Sequence, residues 1–185
     1  MENYHKFVDD ELLKKDLVIR EITQSYMQLK LEQIMVFVNN IRKEHSNLYG
    51  WQPESKEYFL RELDKKWDFS FSIEKIINGE IIFIALTSVY DQALHLHCAY
   101  ASREYRNLQL AKLHMIKSCQ KGLDLGFRKH EGYWPKNNNG SIMLYLKMGF
   151  QIVDVCKNGQ QLFMIADNEY VRNKSIKLYL SENYR

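Results

Sequence analysis

The feature that most limits the fold of this chain is a run of three strand-like segments that leads directly into a long amphipathic segment. Residues 69–77 alternate apolar and polar side chains, an Asn-Gly pair forms a strong two-residue hairpin turn, and residues 80–90 are a continuous apolar run. Residues 93–101 follow as a third strand. Residues 109–125 then carry an apolar stripe at helical spacing. We predict an antiparallel meander followed by a helix.

The segments on either side extend this pattern into a larger sheet. They predict strands at 17–22, 128–134, 150–155 and 161–166, and helices at 28–45, 54–66 and 141–148. No repeat, linker or low-complexity tract divides the chain. The expected fold is therefore one α/β domain over residues 1–185, with a mixed sheet of about seven strands and about four helices. A polar leader (1–15) and a polar tail (167–185) carry no pattern that assigns them to an element.

The distribution of charges and cysteines argues against nucleic-acid binding, a disulfide framework and a zinc site. The 26 basic and 23 acidic residues are mixed along the sequence without a basic stripe, so we expect no nucleic-acid partner. Cys98, Cys119 and Cys156 are odd in number and form no CxxC pair, which indicates neither a disulfide framework nor a zinc site. The leader lacks the apolar core of a signal peptide, and no apolar run approaches a membrane span. We expect a cytoplasmic protein that does not bind membranes.

The junction between the third strand and the long helix is a candidate anion site. A helix start exposes unpaired N–H groups and the positive end of the helix dipole. Most such junctions in α/β proteins bind nothing, so a second feature is needed. That feature is the segment NNNGSIMLYLKMGF (137–150), which places an asparagine, a small residue, a tyrosine and a Gly-Phe pair in register on a predicted helix.

Together the two segments resemble the GNAT superfamily of N-acyltransferases, with a clear match over about residues 70–155. The acyl-CoA turn of that superfamily has Arg or Gln, two residues, Gly, one residue, then Gly or Ala; this chain reads Arg106 to Ala111, with Gln109 in place of the middle glycine. The resemblance implies that backbone amides from Asn107 to Lys112 bind the pyrophosphate of acetyl-CoA. It also assigns coenzyme contacts to these residues: Ala99, Tyr100, Ala101, Arg106, Asn107, Leu108, Gln109, Leu110, Ala111, Lys112, Asn138, Ser141, Tyr145 and Lys147.

Three side chains are candidates for the acid and base of an amine acylation. By resemblance, Tyr145 donates a proton to the departing thiolate; the alternative is a core tyrosine on an amphipathic helix. His95 and His97 lie two residues apart on one strand, so they share a face, and Leu94, Leu96 and Cys98 are expected on the other. Such histidines can also be packing residues or metal ligands, although no third ligand is evident.

The His-x-His strand resembles that of the serotonin N-acetyltransferases, where the pair takes the proton of the amine through water. This likeness makes His97 the first candidate for the base and His95 the second. Tyr133 and Trp134 lie where an acceptor would enter, which makes them candidate acceptor contacts. Cys98 is expected to be a core residue.

The resulting hypothesis is an acetyl-CoA-dependent N-acetyltransferase that acts on the primary amine of a small molecule by direct attack in a ternary complex, without a metal. The substitution at Gln109 motivates an alternative, a non-catalytic acyl-CoA-binding or regulatory domain on the same fold. A nucleic-acid or protein binder ranks lowest because no basic stripe or stacking motif is present. A homodimer is compatible with all of these readings.

Overall fold

A single mixed sheet organises the protein, whose computed structural model describes residues 3–156 and 158–183. Its strands are β1 (Leu17–Glu21), β2 (Phe71–Lys75), β3 (Ile81–Tyr90), β4 (Ala93–Ala101), β5 (Lys129–Pro135), β6 (Gln151–Cys156) and β7 (Gln161–Asp167). Their spatial order is β1-β2-β3-β4-β5-β7-β6. β4 and β5 run parallel, and the other neighbours are antiparallel. The predicted mixed sheet of seven strands is confirmed.

Helices cover both faces of this sheet. They are α1 (Tyr4–Leu13), α2 (Gln24–Glu44), α3 (Lys56–Leu60), α4 (Lys66–Phe69), α5 (Leu110–Asp124), α6 (Asn139–Met148) and α7 (Asn168–Asn183). One core cluster joins α1, α5 and α7 to the sheet and includes Val8, Leu113 and Tyr179. A second cluster, with Ile34 and Ile84, joins α2 to the opposite face. No helix in the described part of the chain is long and apolar enough to cross a bilayer.

The helices differ from the predicted set in three places. α1 and α7 occupy the leader and the tail, which the sequence left unassigned, and they contact each other through a hydrogen bond from the Tyr179 hydroxyl to the Glu11 carboxylate, 2.8 Å long. The predicted helix at 54–66 is instead divided into α3 and α4. Lys66 explains the break, because its buried ammonium donates to the carbonyls of Phe59 and Arg61 at the end of α3.

Strands β4 and β5 pair over only four residues and then separate. Their register runs from Ala93 opposite Lys129 to Leu96 opposite Gly132, and no further pair continues it among the described residues. A β-bulge lies at His97, since Leu96 is opposite Thr87 of β3 whereas Cys98 is opposite Leu86 of the same strand. The pairing of β4 with β5 ends at the same place. The two strands therefore open a gap in the middle of the sheet.

The bulge corrects one expectation about strand faces. Leu96 packs into the core cluster on the α5 side, but Cys98 packs into the cluster on the α2 side. The extra residue at His97 breaks the two-residue alternation on which the shared face of Leu94, Leu96 and Cys98 depended. The conclusion that Cys98 is a core residue is nevertheless confirmed, since its side chain is buried.

Candidate active site

A cavity of about 450 Å³ lies where β4 separates from β5, between the start of α5 and the start of α6. It gathers most of the residues that the sequence assigned to acetyl-CoA. The predicted residues that line it are Ala99, Tyr100 and Ala101 of β4, the turn and helix residues from Arg106 to Lys112 except Leu108, and Asn138, Ser141 and Tyr145. Segments that are about thirty residues apart in the sequence thus meet around one space.

Two predicted coenzyme residues do not line this cavity. The side chain of Leu108 packs against the core cluster on the α5 side. Lys147 is exposed to solvent, because the inward face of α6 carries Ile142, Tyr145 and Met148 at helical spacing and residue 147 falls outside it. The assignment of Lys147 to the coenzyme is therefore not supported by its position.

The open edge of β4 offers backbone groups to a ligand. The amide of Ser102 donates to the carbonyl of Ile82 at 2.9 Å, and this bond sets the direction of the preceding residues. Because the polar groups of successive strand residues point to opposite sides, Tyr100 directs its N–H and C=O toward β3, whereas Ala99 and Ala101 direct theirs into the gap. An extended pantetheine arm could pair with Ala99 and Ala101 like an added strand.

The conformation of the turn before α5 limits which of the predicted backbone amides can bind the pyrophosphate. Residues Arg103–Leu108 form a 3₁₀ helix, whose amides donate to carbonyls three residues back, and the Lys112 amide donates to the Gln109 carbonyl at 2.9 Å. The first helical residues, Leu110 and Ala111, have no carbonyl four residues back within α5. Their two amides are thus the part of the predicted cradle best placed to receive an anion.

Gln109 occupies a backbone conformation that favours glycine. Its φ is 59° and its ψ is 30°, in the left-handed region. Its side chain does not point away from the site, since Oε1 accepts a hydrogen bond of 2.9 Å from the Lys112 ammonium. The replacement of the superfamily glycine thus preserves the backbone turn and adds a polar side chain at the cavity wall.

Two charged contacts at the cavity were not predicted from the sequence. Glu182, near the end of α7, accepts a 2.5 Å hydrogen bond from the Lys112 ammonium. Arg106 donates to Nε2 of His45, which follows α2, at 3.2 Å. Neither partner belongs to a motif: Glu182 lies in the unassigned tail, and His45 follows a helix whose only signal was apolar spacing.

Tyr145 stands between this cavity and a smaller one of about 50 Å³, and it lines both. Asn138 caps α6 by accepting from the Ser141 amide at 3.3 Å, and Gly149 ends the helix with a φ of 107°. A Cβ atom at Gly149 would lie 2.5 Å from the Tyr170 ring, so the close approach of α7 requires glycine. Burial raises the pKa of the Tyr145 phenol, which keeps it protonated at neutral pH.

The two histidines of β4 lie side by side but have different partners. Their ring centroids are 4.9 Å apart. His97 lines the smaller cavity, and its Nε2 forms a 2.8 Å hydrogen bond with the Ser88 hydroxyl. His95 lines neither cavity, and its Nδ1 lies 2.9 Å from Oε1 of Glu131 on β5. Sequence reasoning missed Ser88 and Glu131, because both contacts depend on which strands become neighbours.

His97 is held as a neutral imidazole. Burial, the neighbouring His95 and the nearby Arg61 and Lys66 lower the pKa of His97 to about 3. Because the charged form is disfavoured, His97 is a poorer proton acceptor than an ordinary histidine. This environment counts against the prediction that made His97 the first candidate for the base.

Two other chemistries find little support at this site. Burial raises the pKa of the Cys98 thiol to about 11, so Cys98 is not a thiolate nucleophile at neutral pH. Within residues 3–156 and 158–183, no three His, Cys, Asp or Glu side chains gather closely enough to suggest a metal centre.

Comparison with known proteins agrees with this geometry. Residues 36–150 match the family model described as "Acetyltransferase (GNAT) family". No curated protein matches the sequence. The matched range contains the strands of the meander, the turn before α5 and the helix that carries Tyr145.

Solved structures share the fold at low sequence identity. PaiA N-acetyltransferase from Thermoplasma acidophilum, in complex with coenzyme A, has a TM-score of 0.66 and 16% identity, over 82% of this chain and 98% of its own. A GNAT acetyltransferase from Staphylococcus aureus Mu50 has a TM-score of 0.67 and 14% identity, over 82% and 99%. The ribosomal-protein-S18-alanine N-acetyltransferase from Escherichia coli has a TM-score of 0.61 and 14% identity, over 82% and 93%. At these identities the likeness extends to the fold alone.

Proposed function

Because the chain belongs to the acetyltransferase (GNAT) family, we propose that it transfers the acetyl group of acetyl-CoA to the primary amine of a small molecule. The family establishes the coarser activity, acetyl transfer from acetyl-CoA. The nature of the acceptor and the roles of individual residues are the proposal. The likeness of the histidine strand to the serotonin N-acetyltransferases concerns the catalytic device, and it does not name this acceptor.

One observation carries the proposal: a single cavity contains the edge of β4, the start of α5 and the start of α6, and Tyr145 connects it to a second cavity. This arrangement gives acetyl-CoA and an acceptor adjoining spaces, and Tyr145 lies on the wall of both. A ternary complex with direct transfer needs that layout. A site for coenzyme alone would not need the second space.

The proposed roles follow the positions of the groups. Ala99 and Ala101 pair with the pantetheine arm, and the amides of Leu110 and Ala111 receive the pyrophosphate at the positive end of α5. The amine nitrogen attacks the thioester carbonyl, and Tyr145 gives its phenolic proton to the sulfur as the carbon–sulfur bond breaks. The amine loses its proton to the histidine pair of β4.

The dimensions of the second cavity support a small acceptor. It measures about 50 Å³, and its wall includes Trp51 and Tyr133. The segment that carries Trp51 is connected to the start of α6, because Nδ2 of the Asn137 side chain donates to the backbone carbonyl of Asn47 at 3.0 Å. A space of this size with an aromatic wall suits a short amine better than an extended polypeptide. The sequence-based candidates Tyr133 and Trp134 both line it.

The alternative of a non-catalytic coenzyme binder rests on Gln109. Its side chain holds Lys112 at the cavity, but its φ reproduces the turn that a glycine would make. The buried phenol and the histidine pair have no evident purpose in a domain that only binds acetyl-CoA. These features favour the enzyme.

A panel assay tests the proposal. The protein is incubated with acetyl-CoA and short amines, polyamines, arylalkylamines, amino acids or peptides, with free thiol and acetylated product measured together. We expect thiol release that depends on one class of small amine. Turnover with peptides alone would contradict the small-molecule acceptor. Calorimetric binding of acetyl-CoA without turnover on any acceptor would favour the non-catalytic binder.

The homodimer stays a prediction. The edge strand β6 supports it, since Ile152, Val153 and Val155 expose about half of their surface. Light scattering at several protein concentrations measures the oligomeric state directly.

A further inference from the structure

The parallel pairing of β4 and β5 sets a carboxylate beside one of the two histidines. His95 lies opposite Glu131 in the register, and Oε1 of Glu131 is 2.9 Å from Nδ1 of His95. Each side chain is only 15% exposed. A partly buried, charge-assisted contact of this length holds the imidazole in one orientation.

The contact also determines which nitrogen of His95 can accept a proton. A carboxylate accepts hydrogen bonds, so Nδ1 of the neutral ring carries the hydrogen and donates it to Glu131. The lone pair then lies on Nε2. When Nε2 takes a second proton, the adjacent carboxylate stabilises the resulting imidazolium, as the aspartate of a serine protease triad does.

The neighbouring His97 lacks this support. Its only hydrogen-bond partner among the described residues is the neutral hydroxyl of Ser88, and the cations Arg61 and Lys66 lie close enough to disfavour its charged form. Two imidazoles 4.9 Å apart do not both accept a proton readily, since a charge on one opposes a charge on the other. The carboxylate of Glu131 therefore favours His95 over His97 as the proton acceptor.

We infer that Glu131 is a positioning residue of the transfer reaction, and that it makes His95 the imidazole that takes the proton from the acceptor amine. This inference rests on the proposed function, because it assigns the proton acceptor of that reaction. In the balanced step, the nitrogen–carbon bond forms, the carbon–sulfur bond breaks, Tyr145 protonates the sulfur, and the amine proton passes through water to Nε2 of His95. His97 lines the acceptor cavity as a neutral ring.

The surroundings of His95 contain few other charges. Aromatic rings form most of its environment, with centroids 6.2 Å away for Tyr90 and 5.7 Å away for Tyr133. Lys129 lies two residues before Glu131 on β5 and is exposed, opposite Asp167 of β7. The charged or titratable groups on the packed elements include Tyr90 of β3, His97 of β4, Lys129, His130, Glu131 and Tyr133 of β5, and Arg61 and Lys66 near His97.

Nuclear magnetic resonance tests the pairing without any substrate. Protein labelled with ¹⁵N at histidine reports the tautomer of each ring. We expect wild-type His95 to carry its hydrogen on Nδ1, and Glu131→Gln, which replaces the anion with a neutral amide, to shift the ring-nitrogen signals of His95. Glu80→Gln, a matched change at the end of the β2–β3 hairpin, should leave the His95 signals unchanged. A His95 signal that is insensitive to Glu131→Gln would overturn the inference.

Kinetics then tests the role. Glu131→Gln should lower kcat with the best amine by about 10- to 100-fold and shift the acidic limb of the pH–rate profile to lower pH. The KM for acetyl-CoA should stay within about twofold of wild type. Ser88→Ala should leave the position of that limb unchanged. If Ser88→Ala moves the limb and Glu131→Gln does not, His97 is the proton acceptor and the inference is wrong.

Failure of the inference and failure of the proposed function give different results. If the proposed function is wrong, wild-type protein gives no acetylated amine, even where the magnetic resonance signals confirm the pairing. If only the inference is wrong, wild-type turnover is present and Glu131→Gln retains both its rate and its pH profile.

Discussion

Gln109 is the residue whose chemistry departs most from the pattern of its turn. A left-handed backbone costs a residue with a side chain about 1–2 kcal/mol, which glycine avoids. Gln109 has this backbone conformation, and its side chain accepts a 2.9 Å hydrogen bond from Lys112, a cation at the cavity wall. Gln109 therefore affects both the local backbone energy and the availability of that cation.

Replacement of Gln109 by glycine should tighten the binding of acetyl-CoA. The change removes the side chain from the turn and leaves Glu182 as the remaining acceptor for the Lys112 ammonium, so we expect the Kd from calorimetry to fall by roughly two- to tenfold, or at most about 1.4 kcal/mol. The free energy of unfolding should change little, because relief of the strained φ is offset by the greater freedom of glycine in the unfolded chain. Gln109→Ala, which keeps the strain but shortens the side chain, is the control. Weaker binding by both variants would mean that the glutamine itself contacts the ligand.

Tyr145 carries a prediction that separates chemistry from binding. Tyr145→Phe retains the packing against Trp134 and Phe150 but removes the proton donor. We expect kcat to fall by about 10- to 100-fold while the calorimetric Kd for acetyl-CoA stays within about twofold. Leu146→Ile, a control substitution on the exposed side of α6, should leave both kcat and the Kd nearly unaltered. An equal loss of rate and affinity in Tyr145→Phe would contradict the role of an acid.

Sequence could predict which residues lie together where local spacing fixes their positions, but it could not predict contacts with distant strands. Asn138, Ser141 and Tyr145 fall into place because one helix fixes their spacing. The ranking of His97 above His95 had no such basis. The partners Ser88 and Glu131 contact the histidines from β3 and β5, and no local sequence pattern predicts these contacts.

At the scale of elements, α7 links the end of the chain to the coenzyme cavity. Tyr179, in the last third of the helix, is buried in the core on the α5 side. Near its end, Glu182 pairs with Lys112 while remaining 47% exposed at the side chain. A ligand phosphate at the start of α5 would compete with this carboxylate for the same ammonium.

Glu182→Gln should therefore strengthen acetyl-CoA binding. Loss of the competing carboxylate leaves the charge of Lys112 available, and we expect a fall in Kd of roughly two- to fivefold at low salt that diminishes at high salt. Calorimetry at two ionic strengths measures both effects. Glu169→Gln, at the other end of α7, should leave the Kd as it is. Weaker binding in Glu182→Gln would show that the Glu182 contact supports the site instead of competing for it.

The elements that sequence predicted well are those with strong local signals. The meander had alternating strands and an Asn-Gly turn, and α5 had a complete apolar stripe. The terminal helices lacked this signal, since their buried positions, such as Val8, Val171 and Tyr179, complete a core that other elements begin. The bulge at His97 is equally invisible in sequence, because one inserted residue changes the register without changing the composition of the strand.

At the scale of the whole molecule, buried histidines make stability depend on pH. His114 on α5 is fully buried, and neither of its ring nitrogens has a hydrogen-bond partner within the described residues. Burial, with a smaller effect of His130, lowers the pKa of His114 to about 3. Burial also lowers the pKa of His130 to about 4, which the hydrogen bond to Asn168 partly opposes.

Acid should destabilise the fold through these groups. The unfolded chain takes up protons near pH 6.5, whereas the folded chain resists until about pH 3 to 4. The free energy of unfolding is therefore unaffected by the titration of His114 and His130 above pH 6.5. It decreases as the pH falls from 6.5 toward the folded-state pKa values, by up to about 1.4 kcal/mol per pH unit for each histidine.

His114→Leu should flatten this dependence. The variant removes one titrating group and two unsatisfied buried nitrogens, so we expect it to be more stable at pH 7 by about 1–3 kcal/mol and to lose less stability between pH 7 and pH 5. Urea unfolding at several pH values measures both changes. Met115→Leu, a nearby core change without a titrating group, should retain the wild-type slope. An unchanged slope in His114→Leu would mean that the acid sensitivity arises elsewhere.

The overall architecture was predictable because sheet, helix order and acyl-CoA turn are encoded in contiguous segments. The cavity was not, since it arises from the separation of β4 and β5, a property of pairing across the sheet. That separation unites the β4 edge, the start of α5 and the start of α6. It is the structural basis of the proposed coenzyme site.

Hydrogen–deuterium exchange with and without coenzyme A tests this central claim most directly. Bound coenzyme should protect the amides of the β4 edge around Ala99 to Ala101, of the turn through Ala111 and of the start of α6 at Asn138 to Ser141. The β1–β2 edge, which lies on the far side of β3, serves as an internal control and should exchange at an unchanged rate. Protection confined to other segments, or absent at saturating coenzyme A, would contradict the placement of the site between β4 and β5.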